Sequence, residues 1–102
     1  MADYYLIRQG RGPAYNASLP RREQARWDEH AAYLDVLAAA GVVVLGGPVG
    51  EVNGQDTLLV IDADSEAAAR GHLANDPWLE SVLTITSVEP WTIWLRAAGG
   101  AA

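Results

Sequence analysis

Hydrophobic positions along the chain switch between a period of two and a period near 3.6, and the switches predict the order β-α-β-β-α-β. Residues 3–9, Asp-Tyr-Tyr-Leu-Ile-Arg-Gln, are aromatic and β-branched and read as a strand, after which Gly10, Gly12, Pro13 and Asn16 mark a loop. Ser18-Leu19-Pro20 opens a long helix, with Ser18 as N-cap and Pro20 near the first turn. Trp27, His30, Leu34, Leu37 and Ala38 recur at helical spacing on its inner face until Gly41 closes it. Residues 42–49 form a β-branched run ending in Gly46-Gly47-Pro48, and Asn53-Gly54 turns the chain into a second run at Thr57–Ile61. Asp64 or Ser65 caps an alanine-rich helix reaching about Ala74, and Asn75-Asp76-Pro77 turns the chain again. Residues 82–95 are extended, with Pro90 dividing them into a strand and an arm. The expected organisation is one domain over 1–96 followed by a disordered tail, 97–102.

Two helices on one face of a four-stranded antiparallel sheet, the ferredoxin-like split βαβ arrangement of the α+β class, fits this order. In Val42–Leu45 and Leu58–Ile61 both alternating sets of positions are apolar, so the sheet face away from the helices also needs cover. A second copy of the same sheet supplies it most simply, which predicts a two-fold homodimer with Trp91, Ile93, Trp94 and Leu95 at the interface. The alternative is that the final arm folds back over its own sheet.

Composition narrows the chemistry. A net charge of -6 with no lysine argues against nucleic acid and anionic membrane surfaces, both of which call for clustered positive charge. No apolar run approaches the ~20 residues that span a bilayer, and Met1-Ala2-Asp3 leads directly into the first strand without a basic, apolar leader; the expected location is the cytoplasm. Without cysteine there is no disulfide, thiolate ligand or thiol nucleophile, and without lysine no Schiff base. Within residues 1–27, Arg8, Arg11, Arg21, Arg22 and Arg26 outnumber Asp3 and Glu23. Such arginines either receive a carboxylate or phosphate, or pair in solvent with neighbours such as Asp28 and Glu29.

The distinctive residue is His30, an imidazole on an apolar helical stripe, where an unpaired polar group costs a few kcal/mol. A carboxylate on one ring nitrogen would fix the tautomer and make the other nitrogen a proton acceptor near neutrality, and Asp76, at the end of the neighbouring helix, is the carboxylate the topology offers. The structural alternative is that Asp76 before Pro77 caps its own turn while the imidazole bonds a backbone carbonyl. His72, in the last turn of the second helix, is explained by the helix dipole. The two histidines lack the spacing of metal ligands, so no metal is expected. The glycine pairs are turns rather than phosphate loops, and no nucleophile elbow is present. Trp27 and Trp78 are core or rim residues that also suit the walls of an apolar pocket around His30.

These residues resemble the YCII-related (YciI-like) proteins. The resemblance rests on Arg26-Trp27-Asp28-Glu29-His30-Ala31-Ala32-Tyr33-Leu34, on Gly41 with Gly46-Gly47-Pro48, on Asn75-Asp76-Pro77-Trp78 and on Val88-Glu89-Pro90-Trp91, in that order. It implies a dimeric α+β barrel of ferredoxin-like protomers, with a His30–Asp76 dyad lining a pocket near the dimer interface and Gly47-Pro48 shaping one edge. Members usually carry an arginine shortly before the histidine; here Arg26 stands four positions ahead. A related branch includes chloromuconolactone dehalogenase, and the wider group of dimeric barrels includes muconolactone isomerase and small monooxygenases. Fold analogy of this kind sets an expectation and not a mechanism.

The leading expectation is a lyase or isomerase that needs no cofactor. His30 would remove a proton next to a carbonyl or lactone, Asp76 would steady the imidazole, and Arg26 or Arg22 would receive the carboxylate of a small anionic substrate. The other expectations are a non-catalytic dimeric module that binds a small molecule or a protein, and a haem-handling or oxygenating barrel with an exposed histidine at its pocket mouth.

Overall fold

The computed structural model describes residues 3–50 and 56–98. Four strands, β1 (Tyr4–Arg11), β2 (Val43–Val49), β3 (Asp56–Ile61) and β4 (Leu83–Trp91), form one sheet in the order β2-β3-β1-β4, and every adjacent pair is antiparallel. Two helices, α1 (Trp27–Ala39) and α2 (Glu66–His72), complete the βαββαβ sequence of a ferredoxin-like α+β domain. The Asn53-Gly54 turn and residues 99–102 of the expected tail lie outside the described residues.

Alternation along the strands sorts the side chains. Ile7 pairs with Leu59 on one side and Val88 on the other, and Ile7, Leu59 and Ile61 pack with Ala69 and Leu73 of the α2 region, joined by Leu34 and Leu37 of α1. Leu6 pairs with Val60, and Leu45 with Val60, on the opposite face. A second, smaller cluster of Trp78, Val82 and Leu83 gathers Tyr15 and Trp27 near the start of α1.

Two boundaries differ from the sequence expectation, each for a tertiary reason. The helix begins at Trp27 rather than Ser18, which places His30 near its start and not in its middle. Residues 12–26 instead form a loop with one 3₁₀ turn at Arg21–Glu23. The buried Gln24 holds the loop: its Oε1 accepts from the Asn16 N–H at 2.8 Å, and its Nε2 donates to the carbonyls of Asn16 and Leu19. Arg26 then sits in the left-handed region at φ 63, which an α-helix cannot contain. The second difference is that β4 runs through Pro90 to Trp91, because β4 is an edge strand, where the missing proline N–H removes no ladder bond. The expected closing glycine is there: Gly41 has φ +78, and its N–H donates to the Ala38 carbonyl.

One polar side chain interrupts the helix-covered face. Gln9 is 1% exposed, and neither its amide nitrogen nor its amide oxygen has a hydrogen-bond partner among the described residues. Such a group costs roughly 1–3 kcal/mol, so Gln9→Met, which keeps the length and removes the amide, is expected to raise unfolding free energy by about that amount. Urea denaturation checks this; unchanged or lowered stability would mean that the amide is satisfied in solution.

Candidate active site

The start of α1 and the turn after α2 meet over the sheet. The His30 N–H donates to the Arg26 carbonyl at 3.0 Å, which seats the residue on the first turn of α1 with its side chain directed inward. After α2, the Asp76 N–H donates to the Leu73 carbonyl and the Leu79 N–H to the Asp76 carbonyl, a compact turn in which Pro77 needs no donor. Asp76 Oδ1 accepts from the Trp78 N–H at 2.9 Å and lies 2.8 Å from His30 Nδ1. The two readings of Asp76 therefore coincide: one oxygen both caps the turn and meets the imidazole. Both side chains are almost wholly buried, at 6% and 1% exposure.

An ionised carboxylate can only accept, so the proton between them sits on Nδ1 and leaves Nε2 as the acceptor nitrogen. Asp76 Oδ2 is buried without a partner among the described residues. The ring is also fixed by its faces. His30 stacks on the Trp78 indole at 3.9 Å between centroids and 9° between planes, and Trp27 leans on it at 5.7 Å. Trp78, fully buried, is anchored in turn by Nε1–H donating to the Ala25 carbonyl at 2.7 Å. The same indole thus links the turn carrying Asp76 to the loop leading into α1.

Beside the imidazole lies a cavity of about 280 Å³, at the small end of ligand-sized pockets of roughly 300–1,000 Å³. Its walls are mostly apolar: Trp27, Leu34 and Ala38 from α1, Val43 to Pro48 from β2, and Leu59 from β3. Its polar lining is His30, Arg21, Thr57 and Asp35. Gly46 is needed for its shape, since a Cβ there would approach Leu59 Cδ2 to 2.7 Å. Arg21 donates from Nη1 to Thr57 Oγ1 at 2.8 Å. Burial pushes its guanidinium below the usual arginine range, and it remains cationic there.

Of the residues singled out in the sequence, His30, Trp27, Gly47 and Pro48 share this cavity, Asp76 supports the imidazole, and Trp78 backs it. Arg22 and Arg26 line a separate surface depression with Glu23, Asp28 and Glu29. The Arg22 guanidinium stands 5.7 Å over the outer face of Trp27. Arg26 donates to Glu29 at 2.6 Å, a bond that raises the arginine's pKa and lowers that of the carboxyl, and both side chains are more than half exposed. The arginine that reaches the cavity is Arg21, with Thr57 beside it. Only the 3₁₀ turn at Arg21–Glu23 separates it from its neighbours, and no local signal in the sequence distinguishes them. His72 sits at the end of α2, where its carbonyl accepts from the Tyr33 hydroxyl. Among the described residues no three His, Asp or Glu side chains gather as metal ligands, and no helix is long and apolar enough to cross a membrane.

Fold and site together define a small ferredoxin-like domain with a buried His–Asp contact opening on an apolar cavity. A search of curated proteins gives no match. Residues 4–92 match the YCII-related domain, and the chain belongs to that family.

Proposed function

We propose that this domain catalyses proton transfer without a cofactor, as a lyase or isomerase acting on a small, partly apolar anion at a carbon next to a carbonyl or lactone. The observation that carries this reading is the 2.8 Å contact between His30 Nδ1 and Asp76 in a ring that also lines the cavity. His30 Nε2 takes the proton as general base, a role worth roughly 10²–10⁴ in rate. Asp76 holds the tautomer and stabilises the imidazolium, since its second oxygen lacks a donor and its charge is offset chiefly by that ring. The Trp78 face adds a favourable contact with the cation as it forms. Apolar walls keep water from the base and strengthen these electrostatic effects.

The test is hydrogen–deuterium exchange in D₂O, followed by proton NMR, on a panel of small lactones and oxo- and halo-carboxylates. Wild-type protein is expected to exchange a C–H in at least one of them, with the rate falling roughly 10²-fold or more in His30→Gln. Equal exchange in that variant would overturn the assignment of the base and leave the non-catalytic binding module as the better description.

The protein is further proposed to work as a two-fold homodimer joined through the open face of the sheet. Leu6, Leu58 and Val60 lie on that face, and Leu45, Trp91, Trp94 and Leu95 are exposed. Light scattering should give a mass near twice 10.9 kDa, and Leu58→Glu should return the monomer with the fold intact. A wild-type monomer would remove this part of the proposal.

A further inference from the structure

The polar groups of the cavity are unevenly spread, and their distribution gives the ligand a direction. α1 runs back along β2, because only the tight turn at Ala40–Val42 separates them. The start of α1 therefore lies toward the end of β2, and its last turns toward the beginning. Pro48 is paired with Thr57, and Val43 with Ile61. His30, Pro48, Thr57 and Arg21 consequently share one end of the cavity, while Ala38, Val43 and the exposed Asp35 mark the other. From His30 to Ala38 the helix rises about 12 Å, comparable to a small monocyclic acid plus its contacts.

We propose that Arg21 and Thr57 form an anion-recognition end for this cavity, and that its ligands are small carboxylates whose acidic C–H lies one or two bonds from the carboxylate. Their apolar remainder points toward Leu34, Ala38 and Val43. This rests on the proton-transfer reading for the acidic C–H, but the anion end stands on its own observations. A half-buried guanidinium on the wall of an otherwise apolar cavity attracts an anion more strongly than it would in water. Its planar fork matches a carboxylate in two parallel bonds, and Thr57, buried and already bonded to Nη1, fixes its orientation. Asp35 at the far rim repels an anion bound the wrong way round. Because the carboxylate end coincides with the imidazole end, the base meets carbons close to the carboxylate and not those at the apolar tip. Arg22 and Arg26 face a different surface and take no part.

The experiment is titration of benzoate and its neutral isostere benzamide, followed by the fluorescence of the cavity tryptophan and by chemical shifts of the His30 ring. Neither probe has an exchangeable C–H at the relevant carbon, so binding is measured apart from chemistry. Wild-type protein is expected to prefer benzoate by roughly ten- to a hundred-fold, the worth of charge-assisted hydrogen bonds. Arg21→Met should abolish that preference and leave benzamide binding in place, Arg21→Lys should retain part of it, and His30→Gln should retain nearly all of it. Circular dichroism confirms that each variant is folded. Equal binding of the two probes to wild type, no binding of benzoate, or undiminished preference in Arg21→Met would each overturn the anion end. Loss of the preference in Arg21→Met with no exchange activity in any panel compound would instead uphold it and count against the catalytic reading.

Discussion

Trp78→Ala is expected to destabilise the protein by about 3–5 kcal/mol, the usual cost of removing a fully buried aromatic side chain. For a domain of this size such a loss approaches the whole stability of many proteins. Three effects combine at this position. The cluster with Val82 and Leu83 is left with a cavity, the Ala25 carbonyl loses its donor, and His30 loses the surface on which it stacks. Trp78→Phe separates them: it restores most of the volume and the stack but not the N–H, and should recover more than half of the lost stability. Urea titration of the three proteins measures this. If Trp78→Ala cost less than about 1 kcal/mol, the second cluster would not be the support assigned to it.

Asp76 divides structure from chemistry in a different way. Asp76→Asn keeps an oxygen able to accept from the Trp78 N–H and from His30 Nδ1–H, so the turn and the ring orientation should survive. What disappears is the negative charge behind the imidazole, and with it a large part of the 10²–10⁴ that a general base supplies; turnover of any exchanging compound should fall by roughly 10²-fold. Asp76→Ala leaves a buried imidazole nitrogen and a buried backbone N–H without partners, and should also destabilise by about 3 kcal/mol or more. Comparing exchange rates with unfolding free energies distinguishes the two. An Asp76→Asn protein that is stable and fully active would show that the carboxylate only builds the turn.

Much of the fold is legible in the sequence because it is written in short-range patterns. The strand order follows from the apolar runs at Leu6–Ile7, Val42–Leu45 and Leu58–Ile61. Gly41 and Ser65 mark helix ends by mechanisms local to themselves, and the Ser65 hydroxyl does accept from the Ala68 N–H. The proximity of His30 and Asp76 is also reachable in this way, since the topology sets the two helices side by side. The start of α1 is not. Ser18 has the chemistry of a cap, but Gln24, bonded to Asn16 and Leu19, holds the chain in a loop, and that choice is made by burial. Pro90 is misleading for a similar reason: only its place at a sheet edge makes it harmless, and an edge is a property of the assembled sheet. The choice of Arg21 over Arg22 and Arg26 depends on which side of one 3₁₀ turn faces inward.

The wall formed by Gly46, Gly47 and Pro48 deserves a final consideration from the standpoint of redesign. On an outer strand, main chain rather than side chains bounds the hollow here, so added bulk intrudes directly. At Gly46 that intrusion meets Leu59, whereas at Gly47 nothing stands within 4 Å of a new methyl group. Paired changes at Gly46 and Leu59 would therefore resize the compartment in small steps while leaving the imidazole, its carboxylate and the guanidinium untouched, giving directed evolution a place to alter what is accepted without disturbing how it is handled.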